Sequence, residues 1–240
     1  MSISSSAYPQ VHGDGQRVEP SGTVARVTLR PVASSLPLGA FALVPAGLLL
    51  SGMQLGWFAQ SEAMAVAIVV LAFAVPLQLV SSVFAFLGRD TLVATSFGIF
   101  SGIWLSYGLV QVTGAVGQTS SVLGVFFLAC SALFVMLMAG GVAGGKTAAG
   151  AVILAGATRF LLSGLYELTE STGVEHAAGI VGLVFVAVAL YVGVATLLED
   201  SAHRSILPIG RRGRARSALE ADLHSQLEVL EHEAGVRDQL

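Results

Sequence analysis

Arg159 is the residue of this sequence whose type and position point most directly to chemistry. It stands near the middle of an apolar segment long enough to cross a membrane. A cation at the centre of a bilayer costs about 2.5–3.5 kcal/mol on insertion scales, so its side chain must face protein or water. A guanidinium can donate two parallel hydrogen bonds to a carboxylate. Arg159 is therefore a candidate for carboxylate binding, and the alternative is a structural arginine that caps carbonyls or pairs with an acid.

An aromatic stripe is the second pattern. On a helix of 3.6 residues per turn, the segment after Arg89 has two unlike faces. One face is aromatic and ends in an amide: Phe97, Phe100, Trp104, Tyr107 and Gln111. The opposite face is a seam of small residues: Thr91, Thr95, Gly98, Gly102 and Ser106. Small seams let helices approach closely in lipid. The stripe can face lipid or a pore, and Gln111 favours the pore.

Two acids lie beside the ends of these helices. Asp90 precedes the stripe, and Glu167 ends the segment that carries Arg159. Either is a candidate titratable group for proton-linked transport. The simpler alternatives are helix capping for Asp90 and plain solvent exposure for Glu167.

No set of residues typical of catalysis is visible in the sequence. It has no nucleophile–base pair, phosphate loop or group of metal ligands, and its single cysteine, Cys130, lies inside an apolar run. We therefore expect no enzyme activity, no cofactor and no metal. A net charge of −3 gives no reason to expect a nucleic-acid partner.

The composition is that of a polytopic membrane protein. Of the 240 residues, 54% are hydrophobic and 11% are charged, against roughly 25% charged in a soluble domain. A span needs about 20 apolar residues, and six segments satisfy this. They are Leu38–Phe58, Ala63–Leu87, Leu92–Thr113, Val122–Val142, Thr147–Leu168 and Ala177–Leu198. The fold class predicted is all-α, with six transmembrane helices around a pore.

The positive residues predict the orientation and the domain limits. Every Lys and Arg except Arg159 lies in the amino-terminal arm, in the second or fourth connection, or in the tail. Under the positive-inside rule both termini are cytoplasmic in a multi-pass plasma-membrane protein. We expect a disordered arm over residues 1–36, a transmembrane domain over 37–210 and a cytoplasmic tail over 211–240. Because leucines recur at helical spacing in the tail, it is predicted to be an amphipathic helix that packs on itself or on neighbouring subunits.

Four stretches resemble the acetate uptake transporters, the family of the bacterial succinate-acetate permeases and their fungal relatives. Pro37-Leu38-Gly39 is similar to the opening of the family's first helix, and Gly56-Trp57-Phe58 to its close. On the stripe helix, the residues in register with the family's motif are Thr91, Thr95, Phe97, Phe100, Trp104 and Leu105. Leu207-Pro208-Ile209-Gly210 matches the signature that follows the sixth helix.

The resemblance implies a homo-hexamer in the lipid bilayer, with a pore for small carboxylates in each protomer. It places Leu43, Phe100 and Ala155 at an apolar constriction. Leu43 and Phe100 replace a phenylalanine and a tyrosine, which implies a wider and less polar neck. Further candidates for the substrate pathway are Ser51, Gln54, Thr95, Phe97, Trp104 and Arg159.

The function expected is therefore transport of small monocarboxylates, with acetate first. Two alternatives stay open. The substrate can be another small solute, or the protein can be a non-transporting membrane scaffold that presents its tail helix to a partner.

Overall fold

The computed structural model describes residues 32–114, 117–202 and 204–213. The arm predicted over residues 1–36 and the tail helix predicted over 211–240 lie outside these ranges, apart from 32–36 and 211–213. The described residues form six α-helices and a short 3-10 turn at Gln60–Glu62. The helices are α1 Leu36–Gln54, α2 Ala63–Leu87, α3 Thr91–Thr113, α4 Ser121–Ala143, α5 Thr147–Thr169 and α6 Thr172–Ala202.

All six helices are long and apolar enough to cross a membrane. The shortest, α1, has 19 residues, which at 1.5 Å per residue extends over about 29 Å, the thickness of a hydrocarbon core. The prediction of an all-α protein with six transmembrane helices is confirmed.

Helices α1 and α6 differ most from the predicted bounds, and two of these differences arise because hydropathy does not register backbone turns. Helix α1 ends at Gln54 and not at Phe58, since Gly56 adopts the left-handed conformation with φ of 72°. Helix α6 begins at Thr172, five residues before the predicted start. Just before this start the chain reverses at Glu170, whose φ is 55°. Glu175 lies in the first turn of α6, where the helix dipole stabilises a negative charge.

The helices form a ring in chain order. Each helix packs against the next, and α6 packs against α1 to close the ring. Small residues allow the closest approaches: a β-carbon on Gly164 of α5 would lie 2.9 Å from the carbonyl oxygen of Gly124 on α4. Without a hydrophobic driving force in lipid, such close backbone packing is a main source of helix association.

The aromatic stripe of α3 faces the interior of this ring and not the lipid. Its five members, Phe97, Phe100, Trp104, Tyr107 and Gln111, are all buried. On the opposite face Gly102 is exposed, with no heavy atom within 4 Å of a β-carbon built on it. The ring therefore encloses an interior of large aromatic side chains.

The two ends of the bundle differ in charge. The Lys146 end holds the start of α1, α3 and α5, and the Glu167 end holds the start of α2, α4 and α6. The described Lys and Arg residues other than Arg159 lie near the Lys146 end: Arg89, Lys146, Arg204, Arg211 and Arg212. Near the Glu167 end the described charged residues are acids: Glu62, Glu167, Glu170 and Glu175. This separation is the one that the positive-inside argument used.

Candidate functional site

Four phenylalanines from four helices meet in the middle of the ring. Phe100 on α3 lies 4.4 Å from Phe134, 5.6 Å from Phe185 and 6.1 Å from Phe160, measured between ring centroids. All four rings are fully buried. These distances are those of favourable tilted aromatic pairs. We call Phe100, Phe134, Phe160 and Phe185 the aromatic plug.

Leu43, Phe100 and Ala155 were the residues that the resemblance placed at a constriction. Leu43 and Phe100 are both fully buried and belong to one hydrophobic cluster. On α5 it is Gly156 that faces the plug, since a β-carbon there would lie 3.0 Å from Cζ of Phe100 and 3.4 Å from the Phe185 ring. Ala155 is half-buried beside it. The sequence did not indicate Gly156, because the residue of α5 that faces Phe100 is determined by the rotation of α5 about its own axis, which depends on its packing against α3 and α6.

A recess lies on either side of the aromatic plug. Towards the Glu167 end, a recess of about 40 Å³ is lined by Gln54, Tyr107, Gln111 and Glu167, among others. Towards the Lys146 end, Phe97 and Phe100 border an apolar recess of about 20 Å³. A water needs about 10–15 Å³ by this measure, so each recess holds very few small molecules. The apolar recess borders Phe100 itself, whereas the polar recess begins at Tyr107, about two turns further along α3.

The apolar recess adjoins a larger one at the Lys146 end. The two share Leu36, Val93, Ala149 and Val192 in their walls, and the larger recess has a volume of about 290 Å³. Its rim is charged: Asp90, Lys146, Glu199, Asp200 and Arg211. A recess with a charged rim thus adjoins a smaller apolar recess that is bordered by Phe100.

Asp90, one of the two acids singled out in the sequence, makes an ion pair and a hydrogen bond. One carboxylate oxygen lies 2.7 Å from Nζ of Lys146, and the other accepts a hydrogen bond of 3.2 Å from the backbone amide of Val93. The second contact is the helix cap proposed as the simpler alternative. Asp90 is therefore both the N-cap of α3 and one member of an ion pair.

The signature that follows α6 turns back across the Lys146 end. Tyr191 donates a hydrogen bond of 2.8 Å to the carbonyl of Pro208, and Thr147 donates one of 2.6 Å to the carbonyl of Gly210. The amide of Arg212 then donates to the carbonyl of Gly145 at 3.0 Å. We call residues 207–213 the strap. Its Arg211 also pairs with the buried Glu199.

Glu167, the second acid, is buried rather than exposed. Its exposed fraction is 9%, and its Oε2 accepts a hydrogen bond of 2.6 Å from the backbone amide of Ser120, the N-cap of α4. It lines the recess at its end of the bundle. The interpretation of Glu167 as a freely solvated residue is therefore wrong.

Arg159 is fully buried inside the ring. Its Nη1 donates a hydrogen bond of 2.6 Å to the carbonyl of Ala178 on α6. Nε and Nη2 have no hydrogen-bond partner in the described part of the chain. Within the same residues no carboxylate lies within 4.0 Å of the guanidinium. Carbonyl capping is thus observed for one nitrogen, whereas pairing with an acid is not.

The other predicted pathway residues divide between two groups. Ser51 donates to the carbonyl of Gly47 on its own helix at 2.6 Å, and Gln54 donates to Oγ of Ser163 at 3.3 Å. Trp104 is fully buried, and its indole nitrogen has no hydrogen-bond partner among the residues that the structure describes. Thr95 lies half-buried on the seam side of α3, away from the aromatic stripe. All but Thr95 therefore lie in the interior.

The comparisons with known proteins agree with this architecture. The family model described as the GPR1/FUN34/yaaH family matches residues 15–209. The fold is similar to that of the bacterial acetate channel SatP, with a TM-score of 0.66 and 20% sequence identity over 74% of this chain and 99% of that one. No curated protein matches the chain. Since the family model spans most of the sequence, the chain belongs to the GPR1/FUN34/yaaH family, which confirms its resemblance to the acetate uptake transporters.

Proposed function

We propose that the protein is a plasma-membrane transporter or channel for small monocarboxylates, with acetate as the leading substrate. Membership of the GPR1/FUN34/yaaH family and a fold similar to that of an acetate channel support this. The observation that carries the proposal is the pair of recesses on opposite sides of the aromatic plug. If only side chains separate the two recesses, a change in the conformation of those side chains can connect them while the helices keep their places.

In this proposal the plug is the narrow point of the pathway. Leu43, Phe100 and Gly156 are its closest lining on α1, α3 and α5, with Gly156 in the place first given to Ala155. An apolar neck excludes hydrated inorganic ions because they would have to lose their water there. The closed rings must rotate to let a solute pass.

The proposed orientation puts the Lys146 end in the cytoplasm. The cluster of Lys and Arg at that end supports this under the positive-inside rule. Both termini would then be cytoplasmic. For the homo-hexamer, support comes from Gly102 and Gly140, which are exposed and have open space around their α-carbons. Small exposed residues on membrane helices allow a neighbouring helix to pack closely.

Of the two acids proposed for proton-linked transport, Glu167 is the better placed. Asp90 is already engaged by Lys146 and by its own helix. In the described part of the chain, Glu167 faces a recess and accepts a hydrogen bond only from the backbone amide of Ser120. A carboxyl group in that position can take up and release a proton beside the pathway.

Uptake of labelled acetate into proteoliposomes tests the function. We expect uptake well above that of protein-free liposomes, and a changed rate in Phe100→Ala. The matched control is Phe73→Ala, since Phe73 is exposed on the outer surface of α2. Wild-type uptake equal to that of protein-free liposomes would contradict the proposed function.

A further inference from the structure

Arg159 is a buried cation without a counter-ion in the described part of the chain. The guanidinium is fully buried, and one of its nitrogens donates to a backbone carbonyl. Nε and Nη2 remain unpartnered in the described residues, where no carboxylate reaches it. A buried charge is stable only when it is paired and hydrogen-bonded. Two free donors on a buried cation therefore point to an anion that the described residues do not provide.

The space around Arg159 is built for its side chain. Gly182 on α6 lies directly against Nη1 of Arg159 and Oγ of Ser51, and a β-carbon on Gly182 would overlap both atoms. Only glycine leaves room for the guanidinium between α1, α5 and α6. The sequence did not indicate this role of Gly182, because the role depends on where the guanidinium of Arg159 lies in the folded protein.

The recess near the Glu167 end borders Gln54, which lies close to this space. Gln54 and Ser163 lie about one helical turn beyond Ser51 and Arg159 on the same two helices, and they are joined by a hydrogen bond of 3.3 Å. Among the described residues, Oε1 of Gln54 has no hydrogen-bond partner. The Gln54–Ser163 pair thus lies between Arg159 and the end of the helices at which the recess opens.

We propose that Arg159 is the anchor of an anion subsite that binds the carboxylate of a small monocarboxylic acid, entered from the recess past the Gln54–Ser163 hydrogen bond. This subsite rests on the proposed function and specifies that the bound species is the anion rather than the neutral acid. Adjacent nitrogens of one guanidinium match the two oxygens of a carboxylate. The subsite lies on the Glu167 side of the aromatic plug.

A monocarboxylate fits better than a dianion or a phosphate. The subsite has one cation, and the approach to it passes Glu167 and Glu175, which also line the recess. These two acids repel a doubly charged ligand more strongly than a singly charged one. The small volume of the recess also excludes long acids.

Ligand-dependent thermal stability of the purified wild-type protein tests the subsite without any variant. Acetate is compared with acetamide, its neutral isostere, and with chloride, at ionic strength held constant with gluconate. We expect acetate to raise Tm by about 3 °C at tenfold excess over its Kd. Acetamide should leave Tm unchanged. Equal effects of acetate and acetamide would overturn the subsite, and equal effects of acetate and chloride would overturn its assignment to carboxylates.

Flux measurements with Arg159→Gln separate binding from mere structural support. We expect the KM for acetate to rise roughly tenfold or more and acetamide flux to change little, because only the anion loses charge-assisted hydrogen bonds. Arg159→Lys should retain part of the preference for acetate. The matched control is Thr158→Ala, an exposed residue next to Arg159 on the same helix whose hydroxyl donates to the carbonyl of Leu154, and it should keep the preference. A proportional loss of acetate and acetamide flux in Arg159→Gln would contradict the subsite.

These outcomes are distinct from failure of the proposed function. If the wild type binds acetate but does not transport it, the function fails and the subsite stands. If it transports acetate with no preference over acetamide, the subsite fails and the function stands.

Discussion

Gly156 on α5 lies so close to the Phe100 ring on α3 that an added β-carbon would stand 3.0 Å from its Cζ. Real β-carbons seldom approach another atom so closely, so the ring must give way by a few tenths of an ångström. Phe100 is enclosed by Phe134, Phe160 and Phe185 and has little room to do so. The backbone of α5 thus sets the position of the ring at the centre of the plug.

We expect Gly156→Ala to reduce acetate flux roughly twofold or more, because overpacking forces the plug rings out of their preferred positions. Initial uptake rates in proteoliposomes measure this. The control is Gly150→Ala on the same helix, where the added carbon would meet Val142 at an ordinary 3.6 Å. An equal effect of the two substitutions would mean that helix propensity and not the plug determines the rate.

Phe100→Ala should widen the substrate range. Removing a fully buried ring leaves a cavity at the narrow point, and such truncations cost about 3–5 kcal/mol in protein cores. We therefore expect a lower Tm together with flux of longer acids such as butyrate, which the wild type should largely exclude. Competition of unlabelled acids with labelled acetate measures the range. A variant that remains folded but excludes butyrate as the wild type does would show that the neck lies elsewhere.

Glu167→Gln should remove the part of acetate accumulation that depends on a pH gradient. Glutamine keeps an acceptor for the Ser120 amide but cannot take up a proton. Downhill acetate flux without a gradient should persist. The comparison is Glu170→Gln, an exposed acid close by whose carboxylate accepts a hydrogen bond from Thr119. Unaltered gradient-driven accumulation in Glu167→Gln would exclude Glu167 as the proton-linked group.

Substitutions of Asp90 should separate its two contacts. Asp90→Asn keeps an acceptor for the Val93 amide but loses the ion pair with Lys146. Because both side chains of this pair are about one-third exposed, the free energy of unfolding should fall by no more than about 1 kcal/mol. Asp90→Ala also loses the cap, which adds about 1 kcal/mol. Thermal unfolding in detergent measures both. An asparagine variant as unstable as the alanine variant would mean that the ion pair, and not the cap, carries the stability.

The number and type of the helices could be predicted because each span is a continuous apolar segment bounded by charged or polar connections. The burial of the aromatic stripe was also within reach, since Gln111 on the same face favoured the interior. The end of α1 was not, because Gly56, Trp57 and Phe58 remain apolar while the backbone has already turned. Hydropathy reflects which side chains are present and contains no information on the backbone angle φ that ends the helix.

The finer features of the site depend on contacts between helices far apart in the sequence. Which residue of α5 faces Phe100 is decided by the rotation of that helix against α3 and α6, and a shift of one residue changes Ala155 to Gly156. The role of Gly182 depends on the conformation of Arg159, 23 positions earlier in the numbering. Neither relationship leaves a periodic pattern that a single sequence can reveal.

The hydrogen bond from Arg212 to Gly145 fixes the point at which the rest of the chain departs. The described chain therefore ends close to Arg211, which lines the recess of about 290 Å³. A short tether gives an attached segment a local concentration on the order of millimolar. A tag joined directly after Gly213 would therefore compete with any solute that occupies that recess with only millimolar affinity.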